Sequence, residues 1–242
     1  MKAILLTYDK QSGLAELVVK SYEALVGSVL PIEFLIPYQS ADTYKHFKSK
    51  NVRYIHSASG IKESVDALLA GIDDEEWVLW CIDDRYPVKV DKTKFTAMVD
   101  NLSKGDVNPD FNGFKLTKWV EPVTAENLEF SGAAFQQQEE CGMTGFWHHQ
   151  FVKARILRKV FVDCEEYQND IRLLNNRLHK RHALDFLSHV HVPSTSIVWF
   201  KEPLKKGLLT INGIEDLKKF NCPVPDYDTI RHDIYFNPVD ER

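Results

Sequence analysis

Two adjacent carboxylates, Asp83 and Asp84, directly follow the apolar run Trp77-Val78-Leu79-Trp80-Cys81-Ile82 and precede Arg85-Tyr86-Pro87. Such a run, bounded by polar residues, reads as a strand buried on both faces. The carboxyl ends of strands in open α/β sheets are where ligands bind. Neighbouring ionised carboxylates repel each other, which is tolerable in solvent or where a hard cation such as Mg²⁺ or Mn²⁺ compensates their charge. The pair therefore suits metal or nucleotide binding, and it also suits an ordinary Asp turn stopped by Pro87. Arg85 either shares the neutralisation of a phosphate or serves as a solvated partner of the acids.

Histidine is the competing signal. His148 and His149 follow an apolar stretch, and His179, His182, His189 and His191 lie close together. Only His179 and His182 have ligand spacing on a helix and no H-E-x-x-H occurs, so one histidine such as His148 contributing to a binding site is favoured over a His-built metal centre. Lys201, Lys205 and Lys206 with Gly207 could hold a phosphate as point charges, or form a solvated basic loop. Neither G-x-x-x-x-G-K-[ST] nor G-x-G-x-x-G is present, which argues against P-loop phosphoryl transfer and dinucleotide redox chemistry.

The elements that must position these residues alternate. Ala3 to Thr7 reads as a first buried strand, and Leu14, Leu17, Val18 and Leu25 as one face of a helix closed near Gly27. Ile32 to Ile36 is a second strand stopped by Pro37, and Val52 to His56 a third. Ser59 is an expected N-cap for a helix carrying Ile61, Val65, Leu68 and Leu69. After Trp77 to Ile82 comes a helix with Phe95, Met98, Val99 and Leu102 on one face. Strands alternating with helices predict an α/β fold, a mainly parallel central sheet flanked by helices. Beyond Ser103 the pattern predicts a turn-rich crossing at 104–112 and strands at 113–119 and 142–147. A helical stretch with Val152, Ile156, Leu157 and Val160 follows, then a second helix reaching Leu178. A β-like run at 197–200, a short helix with Ile214, Leu217 and Phe220, and a surface tail from Asn221 complete the chain.

With 242 residues, 44% hydrophobic, the chain can bury a core without staples, and it reads as one domain, 1–242. A net charge of −5 gives no footprint for nucleic acid. Cys81, Cys141, Cys164 and Cys222 form no C-x-x-C pair and read as reduced, mostly buried thiols. The opening residues turn polar too soon for a secretory segment, and no run reaches the ~20 apolar residues of a membrane span, so a soluble, cytoplasmic protein is expected.

The segment from Ser57 to Leu102, with its helix, Trp77-to-Pro87 run and following helix, resembles the core of GT-A glycosyltransferases, a nucleotide-sugar-binding α/β fold. Ile82-Asp83-Asp84 matches that family's x-Asp-Asp element. The resemblance implies Asp84 as ligand of a Mn²⁺ or Mg²⁺ ion bridging the donor diphosphate, with Asp83 beside it toward the ribose. It also implies that the loop Thr7-Tyr8-Asp9 receives the nucleoside, Tyr8 stacking on the base and Asp9 accepting from imide or ribose hydroxyls. Glu165-Glu166-Tyr167-Gln168 matches in part the family's Trp-Asp/Glu-Phe-Glu acceptor element. Glu166-Tyr167 fits the Glu-Phe step, while Glu165 and Gln168 depart from it. Glu166 is thereby implied as general base; an acidic helix start stabilised by the macrodipole accounts for the same residues.

The expected activity is transfer of a sugar from a nucleoside-diphosphate donor to a glycan or other hydroxyl. Residues 1–105 would be the nucleotide-sugar half, 106–220 the acceptor side and 221–242 a surface tail. A nucleotidyltransferase of similar design is the first alternative, disfavoured because residues 8–14 hold one Lys and one Gly rather than a basic Gly-rich loop. A non-enzymatic nucleotide-sugar or glycan-binding module is the second.

Overall fold

The first apolar run forms β1 (Lys2–Leu6) and the first amphipathic segment α1 (Ser12–Val26), ended by Gly27 at φ 109°. The computed structural model describes residues 1–27, 31–44, 49–118, 123–138, 146–163, 190–205 and 207–230. Next come β2 (Glu33–Tyr38), β3 (Val52–His56), α2 (Ile61–Leu69), β4 (Trp77–Ile82), β5 (Tyr86–Val90) and α3 (Lys92–Lys104). They are followed by β6 (Gly113–Lys115), β7 (Val123–Phe130), β8 (Ala133–Gln138) and β9 (Gln150–Lys153). After β9, α4 (Ala154–Leu157) runs on as a π-helical turn over Arg158–Val162. Then come β10 (Val190–Pro193), β11 (Val198–Lys201), β12 (Leu204–Lys205), β13 (Leu208–Thr210), α5 (Ile211–Lys219) and β14 (Thr229–Ile230).

The main sheet has the order β3-β2-β1-β4-β9-β6-β10-β8-β7. Its first four strands are parallel, and among the described strands only β9 and β8 run against the rest. The period-2 alternation of strand side chains sends β1 and β4 into two cores. Ala3, Leu5, Trp77, Leu79 and Cys81 pack with α1 and α3, whereas Ile4, Val78, Trp80 and Ile82 pack with α2 and α4. With both faces covered, β4 is apolar at every position, as a central parallel strand must be.

Several boundaries differ from the sequence reading for identifiable reasons. Pro37 does not stop β2. The pairing of β2 with β1 covers Glu33 to Leu35, so by Pro37 only the β3 ladder remains and one missing N–H is tolerated. Gly60, at φ 130°, caps α2 rather than Ser59. Of the strand expected at 142–147, residues 142–145 lie outside the described residues and Phe146 and Trp147 form a 3₁₀ turn, while Val152, expected in a helix, lies in strand β9. The second predicted helix toward Leu178 lies outside the described residues.

Residues 220–223 lie against α1, and Thr229 and Ile230 pair with β13 further on. Lys20 Nζ donates to the carbonyls of Phe220 and Asn221, both at 3.0 Å. A Cβ built on Gly13 would fall 1.8 Å from the Pro223 carbonyl oxygen, so this contact requires glycine. No helix among the described residues is long and apolar enough to cross a membrane.

Candidate functional site

Strand register brings the two predicted loops together. Leu6 lies opposite Ile82 in the parallel β1–β4 ladder, so Thr7 and Asp83 leave the sheet side by side. The Thr7 hydroxyl donates to Asp83 Oδ2 at 2.5 Å. Gln11, in the 3₁₀ turn after β1, turns its amide nitrogen to Oδ2 at 2.7 Å and Oδ1 at 3.1 Å. Burial pushes the Asp83 carboxyl well above the usual range; the Thr7 hydrogen bond opposes this, and the charge of Asp84 adds to it. Asp83 thus braces the two loops against each other.

Asp84 has a different environment. Its Oδ1 is buried without a hydrogen-bond partner among the described residues. Burial, opposed by Arg85 and reinforced by Glu202, raises its carboxyl to about 6. A buried acceptor without a partner costs about 1–3 kcal/mol, so a water, an ion or a ligand group that met this oxygen would be stabilised there.

Arg85 is placed by a second ladder. In the antiparallel pairing of β5 with β11, Lys201 lies opposite Tyr86, which makes Arg85 and Glu202 the next pair outward. Arg85 Nη2 meets Glu202 Oε1 at 2.8 Å, and Nη1 meets His148 Nδ1 at 2.6 Å. Burial first, then the Arg85 charge, holds His148 well below its ordinary value, so its neutral ring accepts from the guanidinium. His149 is fully buried. Its Nε2 contacts the Ile82 carbonyl at 2.9 Å and its Nδ1 the Tyr22 hydroxyl at 3.0 Å. With Nε2–H donating to Ile82, the ring braces the residue just before Asp83. Burial drives its pKa down to about 3, against the carbonyl bond, which favours protonation.

On the β1 side, Tyr8 is 44% exposed and its hydroxyl lies 2.6 Å from that of Tyr227. The Asp9 carboxylate accepts from the backbone N–H of Gln39 at 3.0 Å and of Ser40 at 2.8 Å, fastening the β1 loop to the end of β2. Tyr44 stacks on Tyr54 with centroids 4.5 Å apart. Its buried hydroxyl has no partner among the described residues, and burial followed by the charge of Asp83 pushes its pKa up.

Of the residues predicted from sequence, the structure therefore brings Thr7, Asp83, Asp84, Arg85 and His148 together, with Tyr8 and Asp9 on the adjacent loop. Glu166 lies outside the described residues, as do Glu165, His179, His182, His189 and Lys206. Lys201 is paired with Asp216 at 3.5 Å. Gln11, Tyr44, Glu202 and Tyr227 were not anticipated. Only Gln11 had a local signal, one turn after Thr7; the others arrive from distant segments.

Among the described residues, no group of three or more His, Cys, Asp or Glu side chains could hold a metal ion. The stranded Asp84 Oδ1 nonetheless fits a hard cation of the Mg²⁺ kind, which is held by one or two carboxylates together with water and substrate phosphates rather than by an all-protein cage. A separate cavity of about 610 Å³, lined by Met1, Glu76, Trp77, Leu102, Lys104 and Lys153, opens at the amino end of β4, the far end of the strand from this site.

No protein-family model and no curated protein matches this sequence. Among solved structures, the chain is similar to an active-site mutant of LgtC, at 13% identity over 93% of this chain and 98% of that one, TM-score 0.41. LgtC is elsewhere described as a galactosyltransferase in complex with donor and acceptor sugar analogs. The chain is also similar to S. aureus TarS residues 1–349 in complex with UDP-GlcNAc, at 13% identity, TM-score 0.44, covering 82% of this chain and 57% of that one. A third similar structure is a Bacillus anthracis protein assigned as a glucose-1-phosphate thymidylyltransferase, at 10% identity over 96% and 98%, TM-score 0.45. The α/β class itself is read from the strand order given above: a mainly parallel central sheet flanked by helices.

Proposed function

We propose that this chain is a nucleotide-sugar-dependent glycosyltransferase acting in the cytoplasm, a single domain whose residues 1–105 bind the donor. The observation that carries this reading is the buried, unpartnered Asp84 Oδ1 at the carboxyl end of β4, beside the β1 loop bearing Thr7, Tyr8 and Asp9. That is the position at which an open α/β sheet binds a nucleotide.

The electrostatics bear on the donor. Asp84 and Glu202 offset the charge of Arg85 beside a neutral His148, with the Lys115 charge also acting on that ring, so a diphosphate entering here would draw further positive charge. A Mn²⁺ or Mg²⁺ ion held by Asp84 and the donor's own phosphates would supply that charge and stabilise the departing diphosphate. Tyr8 offers an exposed ring for the base. Asp9 shapes the pocket through Gln39 and Ser40.

In the reaction, an acceptor hydroxyl, on a glycan or another alcohol, forms a bond to the anomeric carbon. The bond from that carbon to the phosphate oxygen breaks, and the nucleoside diphosphate leaves. The proton of the hydroxyl passes to a carboxylate, for which Glu166 is the candidate. Glu166→Gln should cut turnover by ~10²- to 10⁴-fold with little loss of donor affinity.

The test is a thermal-shift panel of nucleoside diphosphates with Mn²⁺ or with chelator, since a ligand that binds only the native state raises apparent stability. A nucleoside diphosphate should stabilise the protein, the metal should add to the shift, and Asp84→Ala should lose the metal increment while remaining folded. If no nucleoside diphosphate shifts the transition, the proposal fails. Binding without transfer to any hydroxyl would favour a non-enzymatic binding module instead.

A further inference from the structure

Resting on that donor-site reading, we infer that Arg85 is the protein's own binding group for the diphosphate, and that Glu202 occupies its guanidinium until a phosphate oxygen displaces it. The guanidinium presents a planar fork of donors. One arm goes to His148 Nδ1 and the other to Glu202 Oε1. His148 is buried and neutral, so it orients its arm without cancelling the charge.

Glu202 is the replaceable partner. Its side chain is 23% exposed against 12% for Arg85, so the carboxylate is the more hydrated of the two and the readier to turn out into water. The backbone beneath it is held. Thr210 N donates to the Pro203 carbonyl at 2.9 Å, and Thr210 Oγ1 reaches the same oxygen at 3.3 Å. A Cβ on Gly213 would lie 2.8 Å from Pro203 Cα, so α5 is packed hard against the segment that carries Glu202. Exchange is then a rotation of one side chain, with no movement of the loop.

The chemistry of the exchange is balanced. Carboxylate and phosphate oxygens accept from the same fork, and bidentate Arg–phosphate pairing is among the stronger charge-assisted contacts. Taking the Glu202 carboxylate away from a largely buried guanidinium without a replacement would be costly, which keeps Glu202 in place when no ligand is bound. An incoming phosphate restores a partner while Glu202 regains its hydration. Arg85 follows directly on Asp84, so the phosphate that takes its arm also lies beside the stranded Asp84 Oδ1.

The experiment is calorimetric titration of inorganic pyrophosphate, in chelator, into wild type, Glu202→Gln, Arg85→Gln and the double variant. With the competitor weakened, Glu202→Gln should bind pyrophosphate about tenfold more tightly, the scale of one charge-assisted contact. The gain should vanish in the double variant. Arg85→Lys combined with Glu202→Gln should keep only part of it, and this pair carries the comparison if Arg85→Gln does not fold. Unchanged or weaker binding by Glu202→Gln, or a gain that survives loss of Arg85, overturns the inference. A parallel titration with nucleoside diphosphates separates the two readings. A pyrophosphate gain with no nucleoside-diphosphate binding upholds the exchange and overturns the donor reading, whereas nucleoside-diphosphate binding indifferent to Glu202→Gln does the reverse.

Discussion

His149 gives the fold a specific sensitivity to acid. The ring is fully buried between the Ile82 carbonyl and the Tyr22 hydroxyl, and burial lowers its pKa from 6.5 to about 3. Because the folded chain resists the proton, the unfolded chain binds it first. The contribution of His149 is whole above pH 6.5 and is lost as pH falls toward 3. Linkage over that window gives a loss of about 2 kcal/mol at pH 5 and about 3 kcal/mol at pH 4. His149→Gln keeps a donor and an acceptor but cannot titrate. At pH 7.5 it should be less stable than wild type by about 1–2 kcal/mol through imperfect shape. That deficit should close near pH 5 and reverse at pH 4. Urea unfolding followed by tryptophan fluorescence reads the effect: at a slope of about 3 kcal/mol/M, 2 kcal/mol moves the relative midpoint by about 0.7 M. His148 and Asp84 titrate in both proteins, so their contributions largely cancel in the difference. If the two stability curves run parallel from pH 7.5 to 4, His149 is not the buried neutral brace described here.

Asp84→Asn removes a carboxylate held in a buried setting and should stabilise the ligand-free protein at pH 7.5 by about 1–3 kcal/mol, read from the same unfolding curves, while weakening metal-assisted ligand binding. Trp80→Phe deletes the indole N–H that reaches the Phe146 carbonyl at 2.7 Å and leaves a gap beside Phe161, so it should cost about 2–4 kcal/mol in chemical denaturation. Gly13→Ala drives a methyl group into the Pro223 carbonyl and should release residues 221–230. Limited proteolysis should then cut there faster than in wild type, with a stability loss of about 1–3 kcal/mol.

The sequence disclosed the first half of the fold because its signals there are local. β4 carries six apolar residues in a row, and α1, α2 and α3 each show one apolar stripe, so period and length are enough. The site followed from the same logic, since Thr7 and Asp83 both end strands that a parallel sheet sets side by side. What stayed hidden depends on long-range pairing. Glu202 reaches Arg85 only through the β5–β11 register, and Tyr227 meets Tyr8 across a sequence separation of 219 residues. β9 read as the start of a helix because Val152, Ile156 and Val160 share helical spacing, although the chain changes from strand to helix at Ala154. Asp9 has a second role that its type and place did not disclose: its oxygens accept from the backbone N–H groups of Gln39 and Ser40.

The placement of β9 between β4 and β6 has a consequence during synthesis. β4 gains its β1 partner as soon as it emerges, but its other edge pairs only with β9. That partner follows about seventy residues later, a delay of roughly 4–14 s at ~5–20 residues per second on the ribosome. Through that interval the nascent chain presents the open edge of its most apolar strand, a template for pairing with other chains. Slower elongation over the intervening codons would prolong the exposure, and a chaperone that shields strand edges would raise the yield of native protein.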